Sequence, residues 1–174
     1  MNWSPLSIPN CFVLHRPVFS DPRGTFCKLF ETENLPESFF NFNVKDAYSS
    51  SSRKNALRGM HFQREPNGHK KFVTISSGKA LDVIVDLRRD NFGKVDYVEM
   101  DASKAFTTLA ISEGVAHGFL SLSDGCTLNY LTSSSHSKSD DSGVHWSSIE
   151  FDWPISNPIV SERDDLLPSI SILT

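Results

Sequence analysis

The sequence predicts an all-β protein, an antiparallel barrel or sandwich with only a few short helices. Short runs rich in Val, Ile, Phe, Thr and Leu recur between turn residues, and this spacing is typical of antiparallel strands. Helical periodicity is scarce along the chain. A chain with many short strands and few helices folds as a barrel or a sandwich.

The segment from Leu81 to Leu87 shows the clearest strand pattern. Its odd positions are all apolar, whereas Asp82 and Asp86 share the other face. The strands are predicted at residues 12–19, 25–30, 56–63, 71–77, 80–88, 95–100, 106–112, 117–122 and 126–132.

Helical turns are predicted at 36–41 and 101–105, and a short helix should open near Ser161. The serine-rich stretches Ser49 to Ser52 and Ser133 to Ser142 are interpreted as exposed loops. The alternative for these stretches is a mobile flap beside a ligand site.

Composition is that of an ordinary globular protein. The 174 residues are 39% hydrophobic and 22% charged, which excludes a disordered chain and suffices for one substantial core. No Gly, Pro or Ser linker divides the chain into two hydrophobic halves, so residues 1–174 are predicted to form one domain.

Several functional classes are disfavoured. The first residues resemble no secretory signal and no apolar run could span a bilayer, so we expect a cytoplasmic protein and no membrane partner. Cys11, Cys27 and Cys126 are odd in number and widely spaced, and are interpreted as reduced packing residues. The net charge is −4 and Lys and Arg are not clustered, so nucleic acid is not expected as a partner.

Two residues of catalytic type occur within predicted strands. His61 lies in a segment that would otherwise be apolar, and by itself is more often a hydrogen-bonded structural residue than a catalyst. Lys71 alternates in phase with Val73 and Ile75, and should therefore point inward. A buried ammonium needs a carboxylate, a phosphate or a developing oxyanion; Asp82 or Asp86 would meet that need without any catalytic role.

A metal site is not expected. Small β barrels often bind iron or zinc through His-x-His, a carboxylate and a later His. Here Gln63 occupies the position of the second His, although His69 and His117 could in principle supply further ligands.

The chain resembles the cupin-type dTDP-4-dehydrorhamnose 3,5-epimerases, which implies a cupin-like antiparallel β barrel or jelly roll and no cofactor. The resemblance runs in order along nearly the whole chain, through Asp21-Pro-Arg-Gly-Thr-Phe26, Leu57-Arg-Gly-Met-His-Phe-Gln63, Asp82-Val-Ile-Val-Asp-Leu-Arg88, Gly114-Val-Ala-His-Gly-Phe119, Trp153-Pro154 and Ser161-Glu-Arg-Asp164.

The resemblance implies four catalytic roles. A ketone acidifies the protons on its flanking carbons, so inversion needs a base, an acid on the opposite face and a group that holds the enolate oxygen. His61 matches the family's base and Asp164 the carboxylate that orients it. Tyr130 matches the acid and Lys71 the enolate-stabilising group. Asp164 also fits a helix capping box with Ser161, and Tyr130 also fits a core aromatic.

The resemblance also implies substrate contacts. Arg23 and Arg58 match diphosphate ligands, and Phe26 matches a wall near the nucleotide, although simple core packing is an alternative for Phe26. Strict alternation would place Arg58 opposite His61, so Gly59 is predicted to break the pleat. His117 is expected to support the site without catalytic action.

Four positions depart from the family around the nucleotide and phosphates. Lys28 stands where a Glu is usual, Asp46 and Tyr48 replace Gln and Asn, and His136 replaces a Tyr. We keep these four as candidate substrate-binding residues, and the departures leave open the nucleotide base, the sugar, and whether C3, C5 or both are inverted.

The predicted activity is therefore epimerisation of a nucleotide-diphosphate 4-keto-6-deoxyhexose, which would supply deoxysugar for surface polysaccharide such as the O-antigen of lipopolysaccharide, or for a glycosylated metabolite. A 3,4-ketoisomerase of the cupin type and an inactive sugar-nucleotide-binding barrel are the alternatives. Because an open barrel leaves strand edges uncovered, we expect a homodimer formed by strand exchange or edge pairing.

Overall fold

The structure is a computed structural model that describes residues 2–173, and in it two antiparallel β-sheets pack face to face. Within these residues the strands are β1 Ser4–Pro5, β2 Phe12–Pro17, β3 Phe19–Asp21, β4 Gly24–Phe26, β5 Asp46–Ser52, β6 Leu57–Gln63, β7 Lys71–Ser77, β8 Lys79–Asp86, β9 Val95–Asp101, β10 Ala105–Ile111, β11 Val115–Ser121, β12 Cys126–Thr132 and β13 Asp141–Gly143.

The two large sheets have different strand orders. One contains β1-β2-β10-β7-β12-β5 and the other β13-β6-β11-β8-β9, while β3 and β4 form a separate hairpin. All strand pairs within the sheets are antiparallel. This arrangement is the predicted all-β jelly roll.

Three apolar clusters hold the sheets together. The first lies between the sheets and includes Ile75, Ile84 and Leu109. The second covers the outer face of the β6-β11-β8 sheet with the C-terminal segment, and the third is a Phe cluster against Phe72 on the other sheet. The Leu81 to Leu87 pattern is confirmed, because its odd positions pack in the second cluster while Ile84 packs in the first.

The loop predicted at Ser49 to Ser52 is wrong, because these residues belong to β5. Each residue of β5 pairs with β12, from Ser52 opposite Cys126 to Asp46 opposite Thr132. Pairing with β12 supplies hydrogen-bond partners for the backbone N–H and C=O groups of β5. The side chains of β5 have no apolar alternation, so the strand forms because of its neighbour and not because of its own sequence pattern.

Other differences are smaller. The predicted strand 12–19 is divided into β2 and β3, and the predicted strand 25–30 is only Gly24–Phe26. The stretch Ser133 to Ser142 is a loop up to β13, which pairs with β6.

Helical structure is sparse, as predicted. The 3-10 helices are Glu37–Phe39, Arg89–Asn91, Trp146–Ser148 and Ile170–Leu173, and the α-helix α1 is Glu162–Asp165, capped by Ser161. The turn predicted at 101–105 connects β9 to β10. No helix in the described part of the chain has the length and apolar character to cross a membrane.

Candidate active site

A cleft between the two sheets contains most of the predicted site residues. It has two adjoining lobes of about 330 and 360 Å³, which share Tyr48, His61, Lys71 and Arg163. We call the first the Tyr130 lobe; its other lining residues are Ser50, Arg58, His117, Phe119, Tyr130, Ser161 and Asp164. We call the second the His136 lobe; its other lining residues are Asp46, Phe62, Gln63, His69, Thr132, Ser134, His136 and Asp141.

His61 and Asp164 form a hydrogen-bonded pair in the Tyr130 lobe. Nε2 of His61, on β6, lies 2.8 Å from Oδ1 of Asp164, on α1, and the other Asp164 oxygen accepts from the Gly59 N–H at 3.1 Å. Burial alone would raise the pKa of Asp164, but the His61 and Gly59 interactions lower it overall. An ionised carboxylate only accepts, so Nε2 carries the hydrogen and Nδ1 remains as the basic nitrogen.

The helix that carries Asp164 is positioned by its N-cap. Ser161 Oγ accepts a hydrogen bond from the Asp164 N–H at 3.1 Å, which satisfies one of the free donors at a helix start. The Asp164 carboxylate is therefore free to bind His61. Ser161 caps the helix as predicted, but the Asp164 carboxylate bonds His61 and Gly59 instead of returning to the Ser161 N–H, so only half of a capping box is formed. The catalytic role of Asp164 stays a prediction.

Lys71 is buried without an ion pair. Only 5% of the residue is exposed, and its Nζ lies 3.4 Å from the carbonyl oxygen of His61. Asp82 binds His117 and Asp86 binds Arg88, and no carboxylate in the described chain lies within 4.0 Å of Lys71. Burial lowers the pKa of Lys71 to about 8, against the opposing influence of Asp82 and Asp141.

Tyr130 enters the same lobe from the opposite sheet. It lies on β12 and is 8% exposed, and its hydroxyl lies 3.3 Å from Ser50 Oγ on β5. Burial raises the pKa of Tyr130 strongly, so the phenol keeps its proton. A protonated phenol can serve as a general acid.

The Gly59 prediction is confirmed. Gly59 has φ +138°, and a side chain there would clash with the Cα of Gly118 on β11. Pairing shifts register at this point, since His61 faces His117 whereas Arg58 faces Phe119. The irregularity brings Arg58 and His61 to the same lobe, where the Arg58 guanidinium donates to Ser52 Oγ at 3.0 Å.

Three of the four departures from the family pattern lie together. Asp46, Tyr48 and His136 all line the His136 lobe, and the His136 N–H donates to Asp46 Oδ2 at 2.9 Å. This bond uses the main-chain N–H of residue 136, so it places positions 46 and 136 next to each other without involving the His136 ring.

Gln63 attaches the serine-rich loop to the site. The two hydrogens of its amide nitrogen are shared among three acceptors, Asn67 O at 2.8 Å, Ser134 Oγ at 3.2 Å and Ser135 O at 3.3 Å. Its amide oxygen accepts from the Ser137 N–H at 2.7 Å. These contacts favour a fixed wall over a mobile flap. Within residues 2–173 no group of three or more His, Cys, Asp or Glu side chains could hold a metal ion.

Arg23, Phe26 and Lys28 do not reach the cleft. Arg23 and Phe26 belong to the β3–β4 hairpin, where the Arg23 side chain is 90% exposed and Phe26 is 65% exposed. Arg23 binds Asp21 and Lys28 binds Glu31, and none of these residues lines either lobe. In the described chain these three residues therefore lie outside the cleft, and their contact with substrate stays a prediction.

Further residues line the cleft, and one of them, His117, was expected to support the site without a catalytic role. His117 supports the floor of the Tyr130 lobe, with Nε2 at 2.9 and 3.0 Å from the two Asp82 oxygens. Arg163 lies in both lobes and binds Asp141 at 2.8 Å. Its place directly before Asp164 was the only available signal.

His69 and Ser50 also line the cleft but were not among the predicted catalytic or substrate-binding residues. Both ring nitrogens of His69 are buried without a hydrogen-bond partner in the described structure, and burial lowers the pKa of this residue to about 3, so the ring is neutral. Ser50 lies in β5, a segment predicted to be a loop.

Comparison with known proteins identifies this arrangement. The sequence model of the dTDP-4-dehydrorhamnose 3,5-epimerase family matches residues 5–171. The chain belongs to this family. Members of the family are epimerases, so the protein is an isomerase.

Individual relatives agree along most of the chain. The dTDP-4-dehydrorhamnose 3,5-epimerase of Shigella flexneri is 37% identical over 94% of this chain and 93% of its own length. NovW, a 4-keto-6-deoxy sugar epimerase of Streptomyces spheroides, superimposes with a TM-score of 0.90 at 30% identity, covering 99% of this chain and 88% of NovW.

One structural relative inverts a single centre. ChmJ, a 3'-monoepimerase of Streptomyces bikiniensis in complex with dTDP-quinovose, superimposes with a TM-score of 0.84 at 32% identity, covering 98% of this chain and 88% of ChmJ. The family fold therefore supports inversion of one centre in some of its relatives.

Proposed function

We propose that this family member inverts C3, C5 or both in a nucleotide-diphosphate 4-keto-6-deoxyhexose. The observation that carries the proposal is that His61 and Tyr130 enter one lobe from opposite sheets, with Lys71 in the same lobe. A base and an acid on opposite faces of a sugar, beside a cation for the ketone oxygen, meet the requirements for inversion through an enolate.

The proposed reaction begins with proton removal. Nδ1 of His61 takes the proton from a carbon next to the ketone, the C–H electron pair forms the enolate, and Asp164 stabilises the imidazolium that results. The Lys71 ammonium stabilises the negative charge on the enolate oxygen.

Inversion follows from protonation on the other face. The enolate carbon takes the Tyr130 hydroxyl proton and forms a new C–H bond, leaving a phenolate. Transfer of a proton from the His61 imidazolium to the phenolate, through solvent, restores both groups. Nothing is consumed, so this sequence requires no redox cofactor.

Substrate binding is proposed to involve both ends of the cleft. Arg58 suits the diphosphate, because a guanidinium gives bidentate hydrogen bonds to phosphate oxygens. Asp46, Tyr48 and His136 line the lobe next to the reacting sugar and are proposed to contact the remainder of the substrate.

We also propose that the protein acts as a homodimer. The β3–β4 hairpin exposes Phe19, Phe26 and Arg23, although Arg23 and Phe26 are expected to bind substrate. A second copy would cover the two aromatic side chains and would place the hairpin at the cleft of the other protomer. A cytoplasmic location and a role in polysaccharide supply stay predictions.

The proposed function is tested by deuterium exchange. The protein is incubated with dTDP-4-keto-6-deoxyglucose in deuterated water, and NMR identifies which carbons take up deuterium. Uptake at C3, C5 or both with inversion is expected, and should persist in protein that contains no metal and is treated with a chelator. Activity that depends on bound metal would contradict the mechanism.

The role of His61 is tested by substitution. His61→Asn should abolish deuterium uptake while circular dichroism shows the native fold, and His15→Asn, an exposed histidine outside the cleft, is the matched control. Uptake at the wild-type rate in His61→Asn would remove this residue from the mechanism.

A further inference from the structure

The strongest unassigned feature of the cleft is an aromatic stack between Tyr48 and Tyr130. The two residues face each other directly in the β5–β12 ladder. Their ring centroids are 4.8 Å apart and the ring planes differ by only 13°. Stacked cross-strand aromatic pairs stabilise each other beyond the area that they bury.

Tyr48 is the outer member of the stack. It is 51% exposed, whereas Tyr130 is 8% exposed, so the Tyr48 ring lies between Tyr130 and solvent. Tyr48 also belongs to both lobes of the cleft, whereas Tyr130 belongs to one. The stack therefore forms part of the boundary between the two lobes.

Three contacts fix the Tyr130 ring. Tyr48 lies against one face, the His117 ring approaches edge-on at a centroid distance of 6.1 Å, and Ser50 Oγ holds the hydroxyl at 3.3 Å. Of these three residues, only Tyr48 has its ring plane stacked on that of Tyr130, since His117 makes a T-shaped contact and Ser50 meets the hydroxyl.

We infer that Tyr48 is a positioning residue for the proposed acid: it holds the Tyr130 ring so that the hydroxyl returns its proton to the sugar face opposite His61. The inference rests on the proposed function. It departs from the sequence-based prediction for Tyr48, which was contact with the substrate alone. Burial, which raises the pKa of Tyr130, is consistent with a shielding role for the outer ring.

The inference predicts that loss of the Tyr48 ring affects reprotonation and not proton removal. In deuterated water, Tyr48→Ala should keep deuterium uptake, because His61 can exchange and return a proton on its own face. The ratio of epimer formed to deuterium taken up should fall about two- to tenfold, the range expected for one aromatic pair. Tyr48→Phe retains the ring and should keep the ratio within about twofold of wild type.

A double-mutant cycle with Tyr130→Phe separates positioning from substrate contact. If Tyr48 acts through the Tyr130 hydroxyl, Tyr48→Ala should change the ratio in the wild-type background and leave it unchanged in the Tyr130→Phe background. Tyr97→Ala is the matched control, since Tyr97 is a half-exposed tyrosine that packs on Phe151 outside the cleft.

The outcomes are distinguishable. A raised KM with an unchanged ratio, or an equal effect of Tyr48→Ala in both backgrounds, would overturn the inference and leave the proposed function intact. Wild-type epimer yield from Tyr130→Phe would overturn the assignment of the acid, and the inference with it. Because both products are measured on the same sample, partial loss of folded protein does not alter the ratio.

Discussion

At the residue scale, the reactivity of the cleft depends on how the protein solvates each charge. His61 has an ionised partner, whereas Lys71 has a carbonyl oxygen at 3.4 Å and no carboxylate within ion-pair distance in the described chain. A lysine held in this way lacks a resident counter-charge. It is therefore suited to an oxyanion that exists only during the reaction.

The lowered pKa of Lys71 predicts a falling limb in the pH–rate profile. Its pKa falls from 10.5 to about 8 on burial, so the ammonium deprotonates as pH rises through about 8. If the charged form holds the enolate, kcat/KM should decline above that pH. Lys71→Arg, which stays charged, should be slower but lack this limb. A wild-type rate that is constant up to pH 10 would contradict the assigned role.

The lowered pKa of Lys71 also affects the free energy of unfolding, which should rise with pH where kcat/KM falls. Between pH 8 and 10.5 the unfolded chain binds more protons at Lys71 than the folded one, so this residue makes the free energy of unfolding rise with pH across that window. Urea unfolding of wild type and Lys71→Met at pH 7.5 and 10 measures the difference. An unchanged difference at the two pH values would refute the shift.

Asp164 is expected to be replaceable for folding and required for catalysis. In Asp164→Asn the Ser161 cap remains, because it uses the backbone N–H, but the imidazolium of His61 loses its charge partner. The rate should fall about 10²- to 10⁴-fold with little change in melting temperature. Asp165→Asn is the exposed control on the same helix; equal rates for both variants would show that the pair is not catalytic.

At the element scale, two local irregularities position the site. The Gly59 register shift turns Arg58 and His61 toward one lobe. The Gln63 amide, two residues after His61, holds the loop that carries His136. One strand therefore positions both the proposed base and a wall of the neighbouring lobe.

Gln63→Glu is expected to release this loop. A carboxylate can accept from Ser137 but cannot donate to Asn67, Ser134 or Ser135, so the loss of hydrogen bonds should cost about 1–3 kcal/mol of unfolding free energy. We expect KM to rise while deuterium uptake at saturating substrate changes little.

Trypsin cleavage after Lys138 gives an independent measure of the loop. Cleavage mapped by mass spectrometry should be faster in Gln63→Glu than in wild type, whereas Ser139→Ala, a loop variant without a contact to Gln63, should be cleaved at close to the wild-type rate. Wild-type KM together with faster cleavage would show that the loop does not contribute to substrate binding.

At the scale of the whole molecule, the cleft exists because strands distant in the chain become neighbours. β6 and β12 belong to different sheets, and the helix that follows Ser161 closes over β6. The predicted site residues that lie outside the cleft in the described chain are Arg23 and Phe26 of the β3–β4 hairpin and Lys28, which follows it.

If the protein is a homodimer with shared sites, two inactive variants should complement each other when they are mixed. If the hairpin of one subunit serves the cleft of the other, His61→Asn and Arg23→Ala are each weak or inactive, but dimers that contain one of each hold one complete site. Refolding an equal mixture should restore about a quarter of wild-type activity under random pairing.

Sedimentation tests the dimer directly. It should show a dimer that Phe26→Asp weakens and that Phe40→Asp, at an exposed phenylalanine outside the hairpin, leaves intact. A monomer, or no restored activity, would contradict this arrangement.

Local patterns in the sequence were sufficient for much of the fold. The pattern of short β-forming runs between turn residues identified β6 to β12 to within two residues, because the apolar side chains of these runs pack in the clusters of the folded chain. It failed for β5, whose serines and Tyr48 look like a loop until β12 supplies hydrogen-bond partners. Ser50 and Ser52, which contact Tyr130 and Arg58, were missed for the same reason.

By itself the sequence determined the all-β class, because β-forming runs recur between turn residues, and its ordered motifs determined the family. The proposed base, acid and enolate-stabilising groups are what the resemblance to that family implies. Only the tertiary structure decided which groups meet. The Asp46–His136 bond, the Tyr48–Tyr130 stack and the unpaired state of Lys71 depend on contacts between distant segments. Such contacts leave no periodic signal, since each is set by the register of two strands or by a loop held at one residue.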